Sequence, residues 1–247
     1  MNDELRLKLE AHRAYLKKQP AGFVYRGAKH TAPTSSSIEP ATQQPSHALP
    51  VSPQATQRTK QPALDAIKCA YGNCNACPLA TQGRAQVVFG IGNPDTKLMF
   101  IGEAPGRDED KQGQPFVGRA GQLLTKIIEA MGLAREQVYI SNVVKCRPPE
   151  NRAPLPNESG TCKDLILFNE IDIIKPAIIC TLGATATQAI LGEDTKITKA
   201  RGQFFAWRNT LVLPTYHPAY LLRNPAEKRT VWEDMQKIMV KLTELAG

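Results

Sequence analysis

The chain has 247 residues, of which 42% are hydrophobic and 22% are charged, and its formal net charge is +8 at pH 7. This is the composition of an ordinary globular protein. No apolar run reaches the roughly 18 residues that a membrane span needs, and the charges within residues 1–18 exclude a secretory signal. We therefore expect a soluble, cytoplasmic protein, in which the six cysteines are metal ligands or buried thiols before disulfides.

Residues 1–61 are predicted to lie outside the folded domain. Residues 4–18 place three leucines at helical spacing, which predicts an amphipathic helix that either binds a partner or stays solvated without one. Residues 20–62 are rich in Pro, Ser, Thr, Gln and Ala and are predicted to form a disordered linker. The first 61 residues hold nine Lys or Arg and four acids, so the domain at 62–247 is only mildly basic. Its charge permits nucleic-acid binding without demonstrating it.

Within this domain, short apolar strands alternate with amphipathic helices. Strands are predicted at 97–101, 138–141, 177–182, 204–207 and 210–214, and helices at 118–133, 163–174, 184–191 and 228–245. This alternation predicts an α/β fold of three layers, α/β/α, with a central, mainly parallel sheet. Ligand sites in such folds lie beyond the carboxyl ends of the strands, which here are the segments 102–107, 142–147 and 215–223.

Four of the cysteines have the pattern of a metal site. Cys74 and Cys77 form a C-x2-C pair, and Cys146 and Cys162 lie at the two ends of a separate, proline-rich loop. Four thiolates suit either tetrahedral zinc or a [4Fe–4S] cluster, and the spacing alone does not choose between them. Unrelated cytosolic thiols are the alternative interpretation. Cys180 falls inside an apolar strand, so we interpret it as a core residue.

Side chains of four different chemistries fall near the predicted edge of the sheet. Glu103 follows the first strand in a GEAPG turn, and Asn142 ends the second strand. His217 is the one histidine in the predicted domain and directly follows a strand, although a lone histidine is more often structural than catalytic. Phe116 lies in the Gly-rich loop QGQPFVGRAG, where a large ring is more often exposed than buried. Together the carboxylate, amide, imidazole and ring predict a pocket for a flat, polar heterocycle.

The chain resembles family four of the uracil-DNA glycosylases, the iron–sulfur group, in six segments: CNACPLATQGR, VVFGIGNP, FIGEAPGRDEDKQGQPFVGRAGQLL, YISNVVKCRPPENRAP, PAIICTLGATAT and LPTYHPAYLLR. They follow the family's order over residues 70–240. The resemblance implies a uracil-DNA glycosylase-like fold and an enzyme that hydrolyses the bond between uracil and the DNA sugar, which leaves an abasic site. It also implies a [4Fe–4S] cluster, and not zinc, on the four cysteines above.

The same resemblance implies a role for each residue of the pocket. Phe116 would stack on the flipped uracil, and Asn142 would hydrogen-bond the edge of the base. His217 would donate to uracil O2, where negative charge develops as the bond breaks. Glu103 would be the second catalytic residue. The implied base-binding set is Gly102, Glu103, Ala104, Phe116, Asn142 and His217.

The expected partner is uracil-containing DNA, single- or double-stranded. Arg201 and Arg223 would bind phosphates, and Leu221 and Leu222 could wedge into the base stack. The basic tail either adds a sequence-independent attraction to DNA phosphates or docks its helix on a protein partner, and we favour the partner. We expect a monomer with no membrane association.

Two departures from better-known uracil-DNA glycosylases limit what the sequence says about mechanism. Ala104 replaces the aspartate that activates water in their GQDPY motif, so Glu103 either positions or activates the water, or mainly stabilises the sugar cation. Gly106 replaces the tyrosine that screens out the methyl group of thymine. The sequence therefore leaves open how thymine is excluded.

Two other functions are compatible with parts of the pattern. A non-catalytic nucleic-acid-binding module with a metal cluster, associated with a polymerase, would keep the cysteines but need not keep Glu103, Asn142 and His217 together. A uracil-trapping relative bonds covalently to DNA through a histidine in an inserted basic loop. This chain runs from GEAPGRDED to QPFVGRAG without that insertion or that histidine, which disfavours the trapping reaction.

Overall fold

A computed structural model describes residues 53–245 of the chain, with side chains from residue 60 onward. The predicted helix at 4–18 lies outside these residues, and so does the predicted linker up to residue 52. No helix in the described part of the chain is long and apolar enough to cross a membrane.

The first described helix, α1 (Pro53–Tyr71), begins inside the predicted linker. Lys60 on α1 donates to the carbonyl oxygen of Ile174 (3.1 Å) and forms an ion pair with Asp95 (3.0 Å). Leu64 and Ile67 of the same helix are buried in the core. These contacts place residues 60–61 in the folded part, so the structured segment starts before the predicted boundary at residue 62.

The remaining elements alternate between strands and helices, as the sequence predicts. In chain order they are β1 (Ile91–Gly92), β2 (Leu98–Gly102), α2 (Arg107–Gln112), α3 (Arg119–Ala130), β3 (Tyr139–Asn142), α4 (Pro156–Cys162), α5 (Phe168–Ile174), β4 (Ile178–Leu182), α6 (Ala184–Leu191), α7 (Ile197–Ala200), β5 (Phe205–Trp207), β6 (Thr210–Thr215), α8 (Pro218–Arg223) and α9 (Lys228–Glu244). A π-helical turn at Lys163–Leu167 joins α4 to α5, so the helix predicted at 163–174 begins earlier, at Pro156.

The six strands form one sheet in the order β1-β3-β2-β4-β6-β5. The four central strands are parallel, and each edge strand is antiparallel to its neighbour. After β2 the chain forms β3 on one side of it, and later it forms β4 on the other side. This reversal of direction opens a crevice at the carboxyl ends of the strands. In register, Gly102 pairs with Asn142 and Leu182 pairs with Thr215, so these strand ends meet at one edge.

Alternate residues of the central strands pack into two hydrophobic clusters on opposite faces of the sheet. Met99 and Ile101 of β2 face a cluster that contains residues of α1 and α5, whereas Leu98 and Phe100 face a cluster that contains residues of α3 and α9. Each of these four side chains is at most 2% exposed. The period of two along a strand and the helices on both faces confirm the predicted three-layer α/β/α architecture.

Candidate active site

A cavity of about 430 Å³ opens at the carboxyl edge of the sheet. Its wall comes from residues 103–106 after β2, Glu109 on α2, Phe116 and Ala120 on either side of the start of α3, Asn142 at the end of β3, residues 148–152, and residues 217–223. The cavity therefore brings together the four side chains that the sequence places near this edge. For Glu103, Asn142 and His217 the convergence follows from the parallel strands that they end or follow, whereas Phe116 lies on the loop between α2 and α3.

The Phe116 ring forms one wall of the cavity and is 6% exposed. Its backbone has a left-handed φ of 56°, which is costly for a bulky residue and characteristic of functional sites. The ring lies 5.6 Å from the His217 ring, centroid to centroid, at an interplanar angle of 34°. Gly102 makes this packing possible, because a Cβ there would clash with the Phe116 ring and lie 2.5 Å from Asn142 Oδ1.

Asn142 presents a buried acceptor to the cavity. The residue is 2% exposed, and its Oδ1 finds no hydrogen-bond partner among the described residues. A buried carbonyl oxygen without a partner costs on the order of 1–3 kcal/mol, so native proteins rarely leave one unless a ligand completes it. This atom is suited to receive an N–H donor of a bound molecule.

His217 is oriented by the start of helix α8. Its Nδ1 accepts a hydrogen bond from the backbone N–H of Ala219 (3.1 Å), which makes the histidine the N-cap of α8. Because Nδ1 is an acceptor, the proton of the neutral ring lies on Nε2. Burial and then the positive charge of Arg223 lower the pKa of His217 to about 4. At neutral pH the ring is therefore an uncharged donor.

Glu103 is held by a residue from a different helix. The hydroxyl of Thr185, on α6, donates to Glu103 Oε2 at 2.5 Å. The Glu103 backbone carbonyl accepts from Val144 N (3.0 Å), which extends the pairing of β2 and β3 past the strand ends. Sequence reasoning missed Thr185, because its only relation to Glu103 is through the fold.

The four cysteines belong to, or pack against, the hydrophobic cluster on the α1 side of the sheet. Cys146 and Cys162 are buried in the cluster of that face, and Cys74 and Cys77 pack against it. Burial raises the pKa of the Cys162 thiol to about 12, although the charge of Lys145 lowers it. The negative charges of the Cys146 and Cys77 thiolates raise this pKa further.

Two of these sulfur atoms accept hydrogen bonds. Arg84 Nη1 donates to Cys146 Sγ (2.9 Å), and the backbone N–H of Lys145 donates to Cys162 Sγ (3.2 Å). These donors lower the pKa of the two thiols, but burial outweighs them and raises the pKa of both Cys146 and Cys162. The thiolate is the form that binds metals. Within residues 60–245, no group of three or more His, Cys, Asp or Glu side chains is arranged to hold a single metal ion.

Comparison with known proteins identifies the family. Residues 89–236 match the model of the uracil DNA glycosylase superfamily. The chain is 47% identical over 183 residues to a type-4 uracil-DNA glycosylase of Thermotoga maritima, a match that covers 72% of this chain and 94% of that protein. It is 48% identical over 185 residues to a type-4 uracil-DNA glycosylase of Sulfurisphaera tokodaii, covering 71% and 83% of the two chains. The chain belongs to the type-4 uracil-DNA glycosylases.

The match to this glycosylase superfamily contains every pocket residue described above, together with Cys146 and Cys162, whereas Cys74 and Cys77 precede it. The family predicted from the sequence is confirmed. A DNA polymerase of Bacillus phage SP01 is also 30% identical over 156 residues, which cover 63% of this chain but 17% of that protein.

Glu109 is the main pocket residue of this type-4 glycosylase that sequence reasoning missed. Its carboxylate accepts from the backbone N–H groups of Gly106 (3.1 Å), Val117 (3.0 Å) and Gly118 (2.9 Å). It thus ties the GEAPG turn to the loop that carries Phe116. A Cβ on Gly106 would lie 2.8 Å from Glu109 Oε2, so this carboxylate fills the wall of the pocket beside Gly106.

At the rim of the glycosylase pocket, the predicted DNA-binding residues separate into two groups. Arg223 is exposed and lines the cavity, and Leu222 is 38% exposed. Leu221 is 0% exposed and lies in the hydrophobic cluster that contains residues of α3 and α9, so this structure leaves it no exposed surface with which to wedge into DNA. Arg201 lies apart from the cavity lining and binds Asp234 (2.6 Å) and the Thr230 carbonyl (3.0 Å). A phosphate would have to compete with these bonds for the Arg201 guanidinium, and the predicted phosphate contact stays a prediction.

Proposed function

We propose that the protein flips uracil out of DNA and hydrolyses its N-glycosidic bond, which releases free uracil and leaves an abasic site. The observation that carries this proposal is the buried, unpartnered Oδ1 of Asn142 beside an aromatic ring and a neutral histidine donor. These groups match a flat base with an N–H next to carbonyl oxygens. The glycosidic bond of a stacked base is inaccessible, so the base must leave the duplex first.

Recognition of uracil rests on the direction of its hydrogen bonds. Asn142 Oδ1 accepts from uracil N3–H, and the amide nitrogen donates to O4. Cytosine offers an acceptor at N3 and a donor at N4, so the same amide meets two mismatched partners. The Phe116 ring supplies the stacking surface, a contact that contributes roughly 1–3 kcal/mol per base in single-strand binding sites.

We assign the exclusion of thymine to Glu109. The carboxylate fills the wall beside Gly106 and is fixed by three backbone N–H groups, so it has little freedom to move away. A methyl group on C5 of the base would meet a rigid, polar wall. This role answers the question that Gly106 leaves open in the sequence.

Bond cleavage follows from the two catalytic residues. As the C1′–N1 bond breaks, its electron pair moves onto the N1–C2–O2 system of uracil, and positive charge develops on the sugar. The Nε2–H of His217 donates to O2 and stabilises the developing anion. We assign two roles to Glu103, whose carboxylate accepts a hydrogen bond from Thr185: it stabilises the sugar cation and positions the water that adds to C1′.

DNA is held at the rim of the pocket. Arg223 binds a phosphate beside the flipped nucleotide, and Leu222 fills the gap in the base stack. We assign the wedge to Leu222 alone, since Leu221 is buried. Arg201 keeps a secondary phosphate contact at most, because its guanidinium already binds Asp234.

Cys74, Cys77, Cys146 and Cys162 are proposed to hold a [4Fe–4S] cluster. Four thiolates, two of them with N–H donors on sulfur, suit this centre. Four thiolates suit zinc as well, so the choice of the cluster rests on the resemblance of the chain to the iron–sulfur group of uracil-DNA glycosylases. The cluster contributes stability to the fold, since the proposed reaction transfers no electrons.

Residues 1–61 have a proposed role outside the chemistry. Their predicted helix at 4–18 docks on a protein partner, and the catalytic domain works as a monomer. Every residue assigned to the reaction lies after Cys74 in the chain.

A uracil-release assay tests the proposed function. A labelled oligonucleotide with one uracil, single- or double-stranded, is incubated with excess protein in EDTA, and alkali-sensitive cleavage is followed over time. We expect release without added divalent metal, because fixed side-chain donors stabilise the leaving group. The non-catalytic alternative predicts binding without release. The convergence of Glu103, Asn142 and His217 in one cavity disfavours it.

A further inference from the structure

Lys145 is a charged residue buried completely inside the domain. Its side chain is 0% exposed, and its Nζ donates to Ser141 Oγ (2.5 Å), the Asn142 backbone carbonyl (2.8 Å) and Glu170 Oε2 (2.7 Å). An ammonium group has three protons, so every donor is used. Lysine is almost never fully buried unless it is paired, which makes the arrangement informative.

The partners of Lys145 form a closed network. Glu170 on α5 accepts from the backbone N–H of Gly90 (3.0 Å) with Oε1 and from Ser141 Oγ (2.7 Å) with Oε2. The network therefore joins the end of β3, the segment before β1 and the helix that follows Cys162. Removing two charges from water costs several kcal/mol per ion, and well-packed apolar residues are often as stabilising as a buried pair. Stability alone does not explain these residues.

The network reaches the pocket through the backbone of Asn142. The Lys145 ammonium binds the carbonyl of Asn142, whose side chain presents the unpartnered Oδ1 to the cavity. The backbone of Lys145 is fixed as well, because its N–H donates to Cys162 Sγ and its carbonyl accepts from Val88 N (2.7 Å). One residue thus fixes the strand end that carries the base-reading amide and also contacts a proposed cluster ligand.

We propose that Lys145, with Glu170, is a positioning residue that holds Asn142 in register with the base. This inference rests on the proposed function, since it concerns the same recognition site. A single amide that reads two atoms of a base must be fixed to within a fraction of an ångström, and misplacement by about 1 Å can cost on the order of 100-fold in rate. Among the described residues, no hydrogen bond fixes the Oδ1 atom of Asn142, so the orientation of this side chain depends on the position of its backbone.

A double-mutant cycle separates positioning from general stabilisation. The double variant Lys145→Met with Glu170→Gln keeps the packing, removes both charges and retains an acceptor for Gly90. We expect it to slow single-turnover uracil release by roughly tenfold in the wild-type background and by less than about twofold in an Asn142→Ala background. Equal slowing in the two backgrounds overturns the proposal, because Lys145 would then not act through Asn142.

The matched control is Asp234→Asn, which disturbs another buried ion pair that does not contact Asn142. Its effect should be the same in both backgrounds. Iron content per chain and the thermal midpoint of the full-length protein show whether the cluster and fold survive. If the double variant does not fold, Ser141→Ala enters the same cycle with the same criteria. A wild-type protein that releases no uracil refutes the proposed function itself, whereas normal release with additive effects refutes only this inference.

Discussion

Replacing His217 with alanine should slow uracil release by roughly 100- to 1,000-fold, the usual loss for one fixed donor to a developing anion. The structure supports this magnitude, because the ring is neutral, its Nδ1 is occupied by Ala219 N, and its Nε2 proton remains for the base. The loss corresponds to about 3–4 kcal/mol of transition-state stabilisation. DNA affinity should change much less, since phosphate contacts dominate it.

The alanine variant also loses the cap of helix α8, which costs about 1 kcal/mol of stability. His217→Asn is the matched control, because its side-chain oxygen can still accept from Ala219 N but is too short to reach the base. Both variants should be slow, and only alanine should lower the thermal midpoint noticeably. The assay is single-turnover uracil release with excess protein, paired with fluorescence anisotropy for binding. An alanine variant within about threefold of the wild-type rate would show that His217 is only a turn residue.

Four further predictions follow from the structure. The pKa of His217 is about 4 in the folded state and 6.5 in the unfolded state. The free energy of unfolding should therefore fall by up to about 3 kcal/mol as the pH drops from 6.5 to 4, and denaturant titrations should show a smaller loss for His217→Asn. Cys162→Ser should lose iron and visible absorption, and a variant with full iron content contradicts the ligand assignment. Glu109→Ala should release thymine detectably, and undiminished discrimination argues against its role as a wall. Deletion of residues 1–52 should leave the single-turnover rate unchanged. Deletion of residues 1–61 should lower the thermal midpoint, because the hydrogen bond from Lys60 to Ile174 is lost. Equal thermal midpoints for the two truncated proteins would refute this.

The elements that were predictable from the sequence are those whose residues carry a local signal. Strand β4 is apolar except for Thr181, and α6 follows the glycine after it, so both were predicted within one residue of their bounds. Strand β1 has two residues, Ile91 and Gly92, and exists only because β3 pairs with it. The sequence analysis predicts no helix at 218–223, although Pro218 after a capping His217 is a helix-start signal.

The pocket was predictable where residues end strands and not where long-range bonds place them. Glu103 and Asn142 were found because parallel strands bring their carboxyl ends together. Glu109 and Lys145 were missed. Nothing in the local sequence indicates that Glu109 accepts from three backbone N–H groups or that Lys145 is completely buried. Leu221 and Leu222 look alike in sequence, and only the orientation of α8 shows which one is exposed.

The most direct test of the account is base release from one oligonucleotide that contains uracil, cytosine and thymine, with the free bases quantified by mass spectrometry. The account predicts free uracil from the wild-type protein, no detectable cytosine or thymine, and strongly reduced uracil release by Asn142→Ala at unchanged iron content. Release of cytosine at a comparable rate, or an Asn142→Ala variant as active as the wild type, would contradict the claim that the buried Oδ1 of Asn142 reads the base.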